Sequence, residues 1–352
     1  MIEDFQNIYA HMGDKLSKAI YMDRLNYSIT QDSNYLKNMV DMTVRNSVEW
    51  KRFCECLKEK SQNDKMYIFG AGIWGQILYK ETKEFMRWGG IIDNQPEGKV
   101  IGDLDIVTLD QFMSRYDGNT VIVISSYKSG ASMSAQLQKA NIPSEKIIDG
   151  GNSIYRLTEG AIYFDLKELE PREAYEVFVD AGGFDGFTTK EFFRWCGGNG
   201  YSYCFDADTG NLDTLKDNLA DYGNCEIIPK ALWSESTVLS MRMTGNYASS
   251  VTGQKAGNDI QEIHAVALDD FIQEKKVTFI KMDIEGAELE AIKGAKRIIM
   301  EQRPRLAISI YHKAEDIWEI PQLLLKYYTG YKFYMRHYSF DGYDTVLYAI
   351  PE

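Results

Sequence analysis

The sequence predicts an α/β protein with two successive sheets behind a helical N-terminal arm, and three observations carry that prediction. Residues 1–62 contain no proline and a single glycine, Gly13, and read as amphipathic helix. From Lys65 onward, short apolar runs alternate with helical stretches, which is the signature of βαβ units. After Gly150-Gly151, seven further strand-like segments follow, and a short loop containing Asp341-Gly342 joins the last two. A chain of 352 residues is long enough for two cores. The expected divisions are an arm over 1–62, a small Rossmann-like domain over 63–152 and a larger domain over 153–352.

In the arm, residues 41–58 read as one long helix that ends in the polar break 61–64. Such a segment suits packing or homo-oligomer formation, and it carries no evident chemistry. In the small domain, residues 66–69 form a strand that runs into Gly70-Ala71-Gly72-Ile73-Trp74-Gly75 and then a helix to about residue 87. This turn matches the glycine fingerprint for a phosphate held at a helix N-terminus, with Asp93 at the ribose-contacting spacing of about twenty residues. The unit ends near Asp149, one mononucleotide half, whereas a dinucleotide fold needs two. Gly70, Gly72, Gly75 and Asp93 therefore point to a nucleotide or nucleotide-sugar rather than intact NAD. The alternative is that the glycines only let helix and strand pack closely. The stretch, including Gly90-Ile91-Ile92-Asp93-Asn94, resembles the small sugar-nucleotide-binding domain that precedes some sugar-modifying transferases.

The larger domain offers strands at 177–181, 201–206, 226–229, 278–283, 305–311, 332–338 and 345–350. Helical stretches between the first five imply right-handed parallel crossovers. The Asp341-Gly342 turn implies an antiparallel closing pair. Five parallel strands closed in this way resemble the seven-stranded class I Rossmann-like sheet of S-adenosylmethionine-dependent methyltransferases. The connection 231–277 is far longer than a usual crossover. Its strand-like run 237–243 and its polar segment 244–253 read as a lid or a surface hairpin.

Val177-Phe178-Val179-Asp180-Ala181-Gly182-Gly183-Phe184-Asp185-Gly186 forms the first strand of this domain and its turn. Glycines 182, 183 and 186 permit close approach of a ligand. Asp180 and Asp185 add negative charge that would repel a pyrophosphate and favour an ammonium or sulfonium. Asp206 ends the second strand at the spacing that reaches both ribose hydroxyls, or else caps the following helix. The fourth strand, 279–282, ends in carboxylates at Asp283, Glu285 and Glu288, with Gly286 opening a helix to about residue 296. Ligands of open α/β sheets bind outside the carboxyl ends of strands, so these acids stand where chemistry is placed. A solvated acidic helix start is the plainer reading.

Three blocks, Val179-Asp180-Ala181-Gly182-Gly183-Phe184-Asp185-Gly186, Leu268-Asp269-Asp270-Phe271 and the run from Ile280 to Glu288, resemble the FkbM family of methyltransferases over about residues 160–352. The resemblance implies S-adenosyl-L-methionine as donor and a hydroxyl of a sugar, glycolipid, polyketide or related small molecule as acceptor. It also implies donor contacts from Asp180, Gly182, Gly183, Phe184, Asp185, Gly186, Asp206 and Asp283. Where the family usually has Glu-Pro at the end of strand two, this chain has Asp206-Ala207, a shorter acid that still reaches a ribose.

Methylating a hydroxyl requires a base for its proton. His312, just beyond the fifth strand, is the leading candidate because an ordinary imidazole titrates near neutral pH. Glu285 is the alternative, and Asp283 would orient the donor's amino group or the acceptor. His11 lies in the arm, while His264 and His337 have structural settings. Paired acids can hold a divalent ion, but no further ligand clusters with them in the sequence, so no metal is expected. A net charge of −13 argues against nucleic acid as a partner. The five cysteines show no zinc spacing and read as reduced thiols, and no signal peptide or membrane-spanning run is evident, so a cytoplasmic protein is expected. The competing functions are a nicotinamide-dependent oxidoreductase using the Gly70–Gly75 fingerprint and a non-catalytic sugar-nucleotide-binding scaffold.

Overall fold

The computed structural model describes residues 2–158, 162–242, 250–251 and 259–352. The chain divides into two compact units, one of Met1–Val40 with Ile162–Glu352 and the other of Asp41–Ala161. The expected arm is thereby split, because its first helices bury their apolar faces in the larger unit. These are α1 (Ile2–His11) and α2 (Lys15–Thr30), and α3 (Ser33–Met42) follows them across the division. The single helix expected over 41–58 is also interrupted. A short 3₁₀ turn, Val44–Asn46, separates α3 from α4 (Val48–Ser61). The cause is Ser47, whose hydroxyl accepts the Trp50 amide at 3.2 Å and so starts a new helix.

The smaller unit runs β1 (Lys65–Phe69), α5 (Ile73–Thr82), β2 (Trp88–Ile92), β3 (Ile106–Val107), α6 (Leu109–Met113), β4 (Thr120–Ile124), α7 (Gly130–Lys139), β5 (Ile147–Asp149) and α8 (Gly150–Thr158). Its five strands pair in the order β3-β2-β1-β4-β5, every neighbour parallel. The apolar runs of β1 and β4 form the middle of this sheet, where both faces are covered. Strand order reverses between β1 and β4, and open sheets of this kind bind ligands outside the carboxyl ends at such a switch point.

In the larger unit, β6 (Glu176–Ala181), α9 (Phe187–Trp195), β7 (Gly200–Phe205), α10 (Leu212–Leu219) and β8 (Cys225–Ile228) are followed by an inserted sheet. The insertion comprises β9 (Ala231–Leu232), β10 (Thr237–Arg242), β11 (Ser250–Val251) and β12 (Ile260–Val266), ordered β11-β10-β12-β9. Thus the 237–243 run does form a strand, paired antiparallel with β12. Most of the expected lid, 243–249 and 252–253, lies outside the described residues. The chain continues through α11 (Leu268–Phe271), β13 (Phe279–Met282), α12 (Glu288–Gly294), α13 (Lys296–Gln302), β14 (Arg305–Ser309), α14 (Asp316–Tyr327), β15 (Tyr331–His337) and β16 (Thr345–Pro351).

The main sheet has the order β15-β16-β14-β13-β6-β7-β8. β16 runs antiparallel to both β14 and β15, as the Asp341-Gly342 turn requires, while the strands from β14 to β8 are parallel. Phe178 stacks on Phe192 with ring centroids 4.7 Å apart, centring an aromatic core under β6 and β13. β15 is an edge strand, a place where unpaired backbone invites association. Residues from the chain's start cover it: the Gly13 amide donates to Phe333 O at 2.7 Å, and the Met335 amide donates to the Ser17 hydroxyl at 3.0 Å. The helix expected to open at Gly286 instead begins at Glu288, because Glu285 and Gly286 adopt left-handed φ of 55° and 89°.

Candidate active site

Four parallel strands, β14, β13, β6 and β7, bring their carboxyl ends together in the middle of the large sheet. After β6 the backbone turns sharply through Gly182, at φ 85°, and both Gly182 and Gly183 amides donate to Phe205 O at 2.9 Å. A Cβ at position 182 would lie 2.0 Å from the carbonyl oxygen of Asp283, so only glycine lets this turn touch the end of β13. Asp206 then locks the turn. Its Oδ2 accepts the Phe184 amide at 2.7 Å and its Oδ1 accepts the Asp208 amide at 2.8 Å. Burial raises its carboxyl pKa against the opposing pull of those amides. The cap of the following helical turn is Asp208, whose Oδ1 accepts the Gly210 amide at 2.9 Å.

Beside that turn stands a cluster of acids around one imidazole. Nε2 of His312 lies 3.5 Å from Asp283 Oδ1 and 3.5 Å from Glu285 Oε2, and its Nδ1 lies 3.0 Å from Glu288 Oε1. The ring is only 9% exposed, and neither nitrogen makes a hydrogen bond to these oxygens. Burial would lower the His312 pKa, but the carboxylates of Glu285 and Glu288 overcome it and push it up to about 11. Asp283 accepts the Tyr163 hydroxyl at 2.8 Å on Oδ2 and the Tyr311 hydroxyl at 3.1 Å on Oδ1. Its carboxyl sits below the ordinary range: burial opposes this, and Lys281 and His312 outweigh burial.

Residues 180–338, which contain both the glycine turn and the acid cluster, match the methyltransferase FkbM domain family. They are an FkbM methyltransferase domain. Among solved structures, the chain is similar to the methyltransferase FkbM from Methylobacillus flagellatus KT, at 19% identity and a TM-score of 0.48, covering 92% of this chain and 100% of that one. It is also similar to Aeropyrum pernix fibrillarin in complex with natively bound S-adenosyl-L-methionine (14% identity, TM-score 0.35, 53% and 71% covered). A third is a SAM-dependent methyltransferase from Aquifex aeolicus (15% identity, TM-score 0.33, 61% and 96% covered). No curated protein matches the sequence. No helix among the described residues is long and apolar enough to cross a membrane.

Within the FkbM domain, two expectations need correction. Asp180 is fully buried and does not add charge to the turn. It accepts the Thr189 hydroxyl at 2.8 Å and pairs with Lys281 at 3.1 Å, so its charge is neutralised inside the sheet. Negative charge at the turn is left to Asp185 and Asp206. Nor does His312 have the ordinary imidazole pKa that recommended it as a base, because carboxylates face both its nitrogens. Asp185 Oδ1 accepts the Phe187 amide at 3.1 Å at the start of α9, while Gly186 and Phe184 supply left-handed φ of 79° and 46°. His337 is buried against Thr345, and burial pushes its pKa down to about 3, so it stays neutral.

Sequence reasoning missed three members of the site. Lys281 donates to Gly182 O at 2.7 Å and holds the turn from beneath; a lysine inside an apolar strand, paired in register with Asp180, was the available signal. Tyr311 adjoins His312 and was legible as a neighbour. Tyr163 comes from a loop 120 residues before Asp283, and no local pattern marks it.

In the smaller unit, Gly70, Gly72, Gly75 and Asp93 do converge on one turn. A Cβ at Gly75 would lie 2.0 Å from Gly70 O, so that glycine serves helix–strand packing. Gly72 has open space around it. Asp93 Oδ2 accepts the Ala71 amide at 2.7 Å, and its Oδ1 pairs with Lys99 Nζ at 2.7 Å.

Proposed function

We propose that this chain transfers a methyl group from S-adenosylmethionine to a hydroxyl of a carbohydrate or carbohydrate-bearing metabolite. The observation that carries the proposal is the contact between Gly182 and the Asp283 backbone, which sets the acid cluster beside the glycine turn. When bound, the donor supplies an electrophilic methyl group. The turn fits such a donor. Asp206 contacts no basic side chain in the described structure, and a carboxylate has about four acceptor positions. Phe184, Asp208 and Asn211 occupy up to three of them, which leaves Asp206 room for one ribose hydroxyl rather than two. Gly182 and Gly183 would line the methionine moiety, with Asp185 facing its ammonium. Asp180 acts at a distance by holding Lys281 under the turn.

On the acceptor side, Glu285 takes the hydroxyl proton. Both nitrogens of His312 already face carboxylates, which suits that ring to keeping a proton rather than gaining one. Asp283 has both oxygens engaged by tyrosines. Glu285 is 27% exposed and is the acid with most freedom to meet a substrate. Alignment of acceptor and methyl group supplies most of the remaining rate.

The test has two parts. Calorimetry with S-adenosylhomocysteine should show binding to the full chain, and methyl-labelled donor should pass its label to a hydroxyl-bearing sugar. For the smaller unit the corresponding reading is a nucleotide or nucleotide-sugar at the Gly70–Gly75 turn, tested by the same calorimetry with sugar nucleotides. Stoichiometric NAD with hydride transfer would sink both readings in favour of an oxidoreductase.

A further inference from the structure

We infer that Asp283, Glu285 and His312 form a binding site for one first-row divalent cation of the Mn²⁺ or Zn²⁺ type. One ligand atom from each residue lies within 4.8 Å of the other two. Two ligands each about 2.1 Å from a shared ion stand about 3.4 Å apart at a tetrahedral angle and about 3.0 Å apart at an octahedral one. Both contacts from His312 Nε2, to Asp283 Oδ1 and to Glu285 Oε2, measure 3.5 Å. Nε2 is buried and makes no hydrogen bond. A buried nitrogen equidistant from two carboxylates, with no hydrogen bond to either, is placed to ligate an ion that displaces its proton, while Nδ1 keeps a proton toward Glu288.

The surrounding groups support the same assignment. Glu288 is fully buried, and its Oε1 lies 3.0 Å from the other ring nitrogen, Nδ1. The Ile284 amide pins that oxygen at 2.8 Å. A carboxylate behind a ligating histidine is the usual outer-shell arrangement, since it fixes the ring and raises its basicity. Tyr163 and Tyr311 do the equivalent for Asp283. Three carboxylates around one imidazole leave an excess of negative charge in a half-buried cluster, and the nearby Lys281 is already committed to Asp180. One imidazole with two carboxylates is a mixed nitrogen–oxygen set that suits a first-row divalent ion such as Mn²⁺ or Zn²⁺ better than soft metals or the oxygen-seeking Mg²⁺. The expectation of no metal rested on the absence of a clustered ligand; His312, on the neighbouring strand's end, is that ligand.

Cation binding stands apart from the methyl-transfer reading, and only its purpose rests on it. An acceptor hydroxyl on the ion would lose its proton more readily, and each carboxylate ligates through one oxygen, so the second oxygen of Glu285 remains to receive that proton. The experiment strips the full chain with EDTA and titrates it with Mn²⁺, following loss of the free-ion EPR signal. Saturable binding of one ion per chain is expected. Glu285→Gln should weaken it by about tenfold or more, and Glu288→Gln, which removes no ligand, by about 10–100-fold. S-adenosylhomocysteine affinity, measured on every variant, reports that the fold survives. No saturable binding by the unaltered chain, or binding by both variants as tight as that of the unaltered chain, overturns the site. S-adenosylhomocysteine binding without Mn²⁺ binding rejects the cation and keeps the donor; Mn²⁺ binding without S-adenosylhomocysteine binding does the reverse.

Discussion

The two glycine turns, Gly70–Gly75 in the smaller unit and Gly182–Gly186 in the larger, use the same backbone device. Each follows the first of its unit's parallel strands, and each is held by an aspartate from the end of the next strand. Asp93 accepts the Ala71 amide, and Asp206 accepts the Phe184 amide, both at 2.7 Å. Their charge environments differ. Lys99 sits on Asp93 and helps hold its carboxyl below the ordinary range, against burial. Asp206 has no such partner, and burial lifts its carboxyl above that range. One turn has its carboxylate paired with a lysine; the other leaves its carboxylate without a cation. A shared fold motif therefore does not imply a shared ligand, because the cation beside the acid decides the sign of the field.

The largest effect should come from the acids that only the second turn has as neighbours. Glu285→Gln is expected to lower methyl-transfer turnover by about 10²–10⁴-fold with S-adenosylhomocysteine affinity nearly unchanged. Equal turnover in the variant would move the proton acceptor elsewhere.

Next comes the larger unit's buried ion pair. Arg305 donates to Glu176, which also accepts the Arg172 amide at 2.8 Å, and both side chains are almost fully enclosed. Removing one partner of such a pair costs about 3–5 kcal/mol, so Glu176→Ala should melt at a markedly lower temperature. Burial would raise the Glu176 pKa, but Arg305 and Thr278 hold it below its ordinary 4.5. Its contribution to stability is therefore present above that value and lost as pH falls through the native pKa. Thermal melts from pH 7 down to acid should show this loss in the unaltered chain, and a smaller one in Glu176→Gln.

Comparing the two aspartates directly gives a smaller effect. Asp206→Ala should weaken S-adenosylhomocysteine binding by about 1–3 kcal/mol, while Asp93→Ala leaves it unchanged; calorimetry on both variants would erase the distinction if the two lost affinity equally. The smallest effect belongs to Lys99→Ala. That pair is partly solvated, with the lysine 36% exposed, and should contribute no more than about 1 kcal/mol to stability. Its value is as a switch of charge: if the field at the first turn matters, a sugar nucleotide should bind the variant more weakly.

The linear chain determined the two sheets, the antiparallel closure at Asp341-Gly342 and the places of the glycine turns, because strand periodicity and turn chemistry are local. It placed Asp283, Glu285 and His312 at strand ends, since an apolar run followed by acids announces its own carboxyl edge. It did not determine where residues 1–62 would pack, because burial of Ile8, Ile20 and Tyr21 depends on a surface formed by residues hundreds of positions later. Only the tertiary structure decided the electrostatics. Asp180 reads as a site acid until register sets Lys281 beside it, and His312 reads as a base until three carboxylates surround it. Charge acts across space and burial multiplies it, so a group's protonation and ligating role belong to its neighbours in the fold and not to its neighbours in the chain.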